Sequence, residues 1–263
     1  MLSKPERRAP VAIRLDGKNF HTFTRGFKKP FDEILIKSMQ ETTKYLCENI
    51  LNCVLGYTQS DEISLLLVDY KNLNSSAWFD YKIQKICSIA ASMATMAFNK
   101  SFIKNAEEFM TDCASSYEME GLYGKETEEW RLCSIYQKAL EKGAMFDARC
   151  FNIPREEVTN YFYWRQLDAI RNSVQMVGQA NYSSKQLDGK SCNYIKEMLL
   201  TEKNIDWDRL PIYQQRGSCC IKKTYYPDIT NTKLMRTHWV IDNEIPIFKD
   251  DRDYIERYIY IGE

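Results

Sequence analysis

β-rich and helix-period segments follow one another along the first 153 residues in an order that limits the fold more than any other feature of the chain. PVAIRL (10–15) is a short β-rich run stopped by Asp16-Gly17, a pair that marks turns. A helix is expected over about 33–50, where Leu35, Met39, Leu46 and Ile50 roughly keep a 3.6-residue period and Asp32 is available as N-cap. NCVLGYT (52–58) and ISLLLV (63–68), parted by the polar Gln59-Ser60-Asp61-Glu62, carry a hairpin signal. A second helix is expected over about 79–99, where CSIAASMATMAF is uncharged and rich in small side chains, as suits a helix buried against a sheet. AMFDARCFNI (144–153) reads as a fourth strand. The order is βαββαβ, the split-βαβ or ferredoxin-like arrangement of an α+β protein, with helices on one face of an antiparallel sheet. Its first and third strands are central, adjacent and antiparallel, so Asp16 and Asp61 are expected to meet at one sheet end.

Residues 155–203 are mostly helical in pattern, with Tyr161, Trp164, Leu167, Ile170, Val174 and Val177 as the apolar stripe. SCCIKKTYY (218–226) and MRTHWVID (235–242) then form a closing β-hairpin. The expected division is 1–153, with an acidic insertion near 101–140, and 154–263 packed upon it.

Net charge is zero, but the charges are segregated. Residues 1–29 carry eight basic against two acidic side chains, 101–130 two against eight, and 209–236 six against one. Either these are solvated faces, or the basic segments meet a polyanion locally, in which case binding weakens steeply with salt. Nine scattered cysteines without a CxxC pair, and only two histidines, argue against structural zinc and for reduced thiols in the cytoplasm. No apolar run is read as approaching the roughly 18 to 20 residues that span a bilayer, so no membrane partner is expected.

Two carboxylates meeting at a sheet end, one followed by Gly-Lys-Asn and the other by Glu62, suit phosphoryl transfer assisted by two metal ions. Carboxylates are hard oxygen ligands for Mg²⁺ that leave positions for water and phosphate, and Gly17 lets backbone approach the ion and a triphosphate closely. An Asp-Gly turn and an acidic hairpin loop are also ordinary surface chemistry, and spacing alone leaves both readings open.

VAIRLDGKNFHTF (11–23), KKPFD (28–32), GYTQSDEISLLL (56–67), FDAR (146–149) and WRQLD (164–168) together resemble, in order and approximate spacing, the tRNA(His) guanylyltransferase family, over roughly residues 9–217. The resemblance implies a polymerase/cyclase-type palm that uses two Mg²⁺ ions, with ATP and GTP as substrates, to add nucleotides to the 5′ end of tRNA or tRNA-like RNA. ATP would adenylylate a 5′-monophosphate, and the 3′-hydroxyl of the incoming GTP would displace AMP; a 5′-triphosphate needs no activation. By position, Asp16, Asp61 and the carbonyl of Gly17 would hold the metals and Glu62 would support them. Lys18, Asn19, Phe20 and His21 would line the triphosphate, and Lys29 and Ser60 match residues of nucleotide activation. Asp32 beside them is either an N-cap or a nucleotide contact. Arg165, Gln166, Asn172 and Arg216 are the implied RNA contacts, with Trp164 read as core. Members often form tetramers, so a homo-oligomer is expected.

One block departs from the family. Where eukaryotic members carry His-Ile-Asn-Asn after the WRQ segment, this chain has Ile170-Arg171-Asn172-Ser173. Loss of the histidine favours template-dependent repair of tRNA 5′ ends over dedicated addition of one G to tRNA(His). A nucleotidyl cyclase and a non-catalytic RNA-binding protein are the other readings. The WRQ block and the basic segment weigh against the first, intact Asp16, Asp61 and Glu62 against the second.

Overall fold

The computed structural model describes residues 6, 8–72, 74–120, 127–225 and 236–260. Lys4 and Arg7 of the basic N-terminus, the tip of the acidic segment at 121–126 and the hairpin tip at 226–235 lie outside them.

The chain runs β1 (Val11–Gly17), α1 (Phe20–Phe23), α2 (Glu33–Asn49), β2 (Cys53–Gln59), β3 (Glu62–Leu67), α3 (Ile83–Glu120), α4 (Glu128–Lys142) and β4 (Phe146–Asn152). It continues through α5 (Val158–Asn181), α6 (Ser184–Leu187), α7 (Cys192–Lys203), α8 (Ile212–Arg216), β5 (Ser218–Tyr225), β6 (Arg236–Asp242) and α9 (Asp253–Glu256). The six strands form one sheet in the order β4-β1-β3-β2-β5-β6. The first four have the expected ferredoxin-like order, and the C-terminal hairpin extends the sheet from the β2 edge, pairing antiparallel between Gly56 and Cys220. The boundary drawn at 153/154 therefore crosses a continuous sheet.

Both faces of the central strands are covered, which is why β1 and β3 read as unbroken apolar runs. Val11, Ile13, Leu15, Ile63, Leu65 and Leu67 pack into one core with Leu46 of α2 and Ile86, Ala90, Ala94, Phe98, Phe102 and Ala106 of α3. Ala12, Leu66, Leu55 and Tyr57 join Val158 and Phe162 of α5 and Phe248 and Ile255 in a second core. Side chains alternate along a strand, so the even-numbered residues Arg14, Asp16, Glu62 and Ser64 share the α5 face. Helices α2 and α3 occupy the opposite face.

Three expectations are corrected. The second long helix does not stop near 99: α3 continues to Glu120 and α4 returns, so the described part of the acidic insertion is a helical hairpin. Over Ile83–Ser115 α3 is also long and apolar enough, by length and composition, to cross a membrane, yet its four-residue stripe from Ile86 to Ala106 is buried in the core. On α5, Trp164 and Leu167 are exposed by 58% and 44%, whereas Arg165 and Gln166 are buried. The stripe holds at Val174 and Val177, which are buried, and fails at 164 and 167, where the two polar side chains find partners inside.

Candidate active site

Asp16 and Glu62 face each other in the β1–β3 ladder, and the turn between β2 and β3 places Asp61 one residue before Glu62. The Gly17 N–H donates to the Asp61 carbonyl at 3.1 Å, tying the two acidic turns together. Ser60 turns the chain in the left-handed region at φ 49°, and its hydroxyl donates to Asp61 Oδ1 at 3.1 Å. That bond orients the carboxylate.

Gly17 is required for a reason the sequence did not reveal. A Cβ there would fall inside the Phe20 ring, which itself packs on Phe23, Phe98 and Phe146. The turn is thereby held on the aromatic core, with Lys18 bonded through its N–H to the Met145 carbonyl at 2.8 Å and Asn19 at φ 54° opening α1. N–H groups in the first turn of a helix lack intrahelical partners and favour anions, which is what a triphosphate offers.

Beside these turns lies a cavity of about 500 Å³, within the range of ligand pockets. Gly17, Asn19, Phe20, His21, Lys29, Asp32, Ser60 and Asp61 line it, so the structure gathers most of the expected nucleotide residues around one space. Lys18 and Asp16 do not line it. Lys18 is exposed over the adjoining hollow with Lys142 and Met145, and Asp16 turns to the α5 face. The cavity is completed by Lys28 and by Met176 and Gln179 of α5, which were not anticipated. Met176 and Gln179 stand four and seven residues beyond Asn172, a helical spacing that could have found them.

Asp32 resolves toward its N-cap alternative. Its Oδ1 accepts from the Leu35 N–H, and its Oδ2 from the Lys28 N–H and the Tyr136 hydroxyl, at 3.0, 3.0 and 2.7 Å. Three hydrogen bonds thus commit it to holding the cavity wall. Two of the four implied RNA contacts, Arg165 and Gln166, are corrected in the same way. Arg165 grips Glu62 in a fork, with Nε to Oε1 at 2.7 Å and Nη2 to Oε2 at 2.8 Å. The Gln166 amide bonds to the Pro246 carbonyl and the Phe248 N–H, while Arg216 Nε donates to the Ile245 carbonyl. Arg165 and Gln166 are thus buried beyond the direct reach of RNA, and Arg216 is committed in part to an internal bond. Asn172 lines a small hollow with Ser60, Tyr213 and Gly217.

The donor set fits magnesium. Burial raises the Asp61 carboxyl above the usual carboxylate range; its own backbone and the Ser60 hydroxyl oppose this, and the charges of Asp16 and Glu62 push it further up. Such a repulsive pair of hard oxygen donors is relieved by a cation. Among the described residues no group of three or more His, Cys, Asp or Glu is placed to hold a metal ion.

Comparison with known proteins adds independent findings. The family model for tRNAHis guanylyltransferase matches residues 4–154. A bacterial tRNA(His) guanylyltransferase-like protein solved in complex with ATP is 39% identical, covers 99% of this chain and 94% of its own, and gives a TM-score of 0.77. A bacterial protein of the same kind in complex with GTP gives 0.73 at 37% identity, covering 98% and 93%. The probable tRNA(His) guanylyltransferase of Dictyostelium discoideum is 25% identical over 240 residues, 86% of this chain and 80% of its own.

Proposed function

This chain belongs to the tRNAHis guanylyltransferase family and is a nucleotidyltransferase, and from that premise we propose that it adds nucleotides in the 3′-to-5′ direction to the 5′ end of tRNA, as a template-dependent repair enzyme. The observation that carries this is the meeting of Asp16 and Asp61 beside a nucleotide-sized cavity with a basic rim. Solved relatives in complex with ATP and with GTP support a triphosphate as its occupant.

In this proposal Asp16, Asp61 and the Gly17 carbonyl hold two Mg²⁺ ions. Bound there, magnesium would supply Lewis-acid stabilisation of attacking and leaving oxygens at the α-phosphorus. The protein's own part is positioning. Ser60 fixes the Asp61 carboxylate, and the backbone from Asn19 to His21, which lines the cavity, receives the triphosphate. Lys28 and Lys29, both exposed at the cavity, offset its charge. A 5′-monophosphate attacks the α-phosphorus of ATP and releases pyrophosphate, and the 3′-hydroxyl of the incoming nucleotide then attacks the activated 5′-phosphate and displaces AMP.

Templated addition is favoured by what occupies the departing block. Ser173 accepts from the Trp207 indole at 3.0 Å and is buried, and Ile170 packs into the core formed by α5 and α7. Two of the four positions thus serve packing, which leaves base choice to pairing with the opposite strand. The test is incubation with Mg²⁺, ATP, labelled GTP and a 5′-monophosphorylated tRNA lacking its first nucleotide, with the opposing base varied. Label should enter the 5′ end opposite C. No label opposite any base overturns the proposal, and equal G addition opposite every base replaces templated repair with dedicated G addition.

A further inference from the structure

Glu62 is sealed from both sides. Arg165, only 4% exposed, holds both of its oxygens in a planar fork, and Arg14 Nη2 reaches Glu62 Oε2 at 2.7 Å. The same Arg14 nitrogen lies 3.6 Å from Asp16 Oδ2. On its outer side Arg165 bonds to Asp168 at 2.9 Å, which Arg171 approaches at 3.3 Å. A continuous run of charges therefore links the surface of α5 to the carboxylate of the proposed metal edge.

We propose that Arg165 is a positioning residue for the reaction, setting the direction of the Asp16 carboxylate through Glu62 and Arg14. The inference rests on the nucleotidyl-transfer reading of that edge.

Three observations converge on it. Buried ion pairs are a poor means of stabilising a core, because apolar replacements of similar volume are often as stable or more so. Arg14 Nε is buried without a hydrogen-bond partner, a cost accepted while its Nη2 sits between Glu62 and Asp16. Asp16 and Glu62 are also directly opposed across the ladder. An unclamped Glu62 would draw Arg14 wholly to itself and bring a third uncompensated carboxylate to the edge shared by Asp16 and Asp61. With Arg165 in its fork, Glu62 shares its charge between two arginines, and Arg14, though bonded to Glu62 at 2.7 Å, still reaches Asp16 at 3.6 Å.

The test compares wild type, Arg165→Lys and the apolar double variant Glu62→Met/Arg165→Met. Steady-state GTP incorporation gives kcat and KM, loss of the free Mn²⁺ signal in electron paramagnetic resonance gives metal affinity without nucleotide, and urea unfolding gives stability. Arg165→Lys keeps the charge but loses the fork. It should lower kcat about tenfold to a hundredfold, as expected for a residue supporting metal ligands, while changing the KM for GTP less than about threefold. The double variant should match the wild type in urea yet bind Mn²⁺ about tenfold more weakly and recover no turnover. Wild-type Mn²⁺ affinity and kcat in a folded double variant would make the pair merely structural and overturn the inference. If that variant does not fold, Arg165→Lys decides by the same two readouts. If wild type adds no nucleotide at all, the functional reading falls while the Mn²⁺ titration still decides the positioning role.

Discussion

Asp61 and Glu62 are neighbours in the chain and alike in chemistry, but they stand in opposite surroundings. Asp61 sits in the turn at the cavity, oriented by one hydroxyl and raised in pKa by burial and by two carboxylates. Glu62 is the first residue of β3, 5% exposed, with both oxygens taken by arginines. One is left short of positive charge, ready for a cation; the other is saturated. The end of the turn makes the difference: Asp61 is held outside the ladder beside Ser60, whereas Glu62 is already paired in β3 on the face that α5 covers.

The sharpest way to test this contrast is to neutralise Asp61. Asp61→Asn should reduce GTP incorporation at least about a thousandfold, the scale of several kcal/mol of transition-state stabilisation. In metal-free protein it should nevertheless raise Tm at neutral pH. A carboxyl whose pKa is higher folded than unfolded contributes stability that is present below its unfolded value and lost as pH rises through the folded one. The gain in Tm should therefore shrink as pH falls toward about 4, and an unchanged difference across that window would break the contrast.

Glu62→Gln should act in the other direction. It leaves the buried Arg165 with half of its fork and should cost about 3 to 5 kcal/mol of unfolding free energy in urea, as breaking buried pairs does. A loss below about 1 kcal/mol would mean that the arginines are better hydrated than their burial indicates. The smallest effect belongs to the cavity rim. Lys29→Ala should raise the KM for GTP about fivefold, near 1 kcal/mol for an exposed charged contact, with little change in Tm.

Much of this was legible in the sequence because it depends on local pattern. The βαββαβ order, the N-cap at Asp32 and the convergence of Asp16 with Asp61 follow from periodicity, turn residues and the adjacency of the first and third strands. What was misread depends on distant partners. Nothing near WRQ announces that Arg165 will pair with a residue 103 positions earlier, or that Gln166 will bond to a segment 80 positions later. Without those partners, a charged and an amide side chain beside a tryptophan read as surface and the tryptophan as core, the reverse of what is found. The length of α3 was missed for a related reason. An acidic stretch looks like an insertion until its helix is seen to continue and return as α4.

The cavity is lined on one side by the turns that follow β1 and β2 and on another by Met176 and Gln179, far along α5. A ligand seated there touches parts of the chain separated by more than a hundred residues, and its binding energy is drawn from both. Occupancy then works as a clasp: whatever binds this space stabilises the sheet edge and α5 together, and loosening either one weakens the hold on the ligand. Nucleotide affinity in this protein is therefore also a measure of how firmly its C-terminal helices are seated.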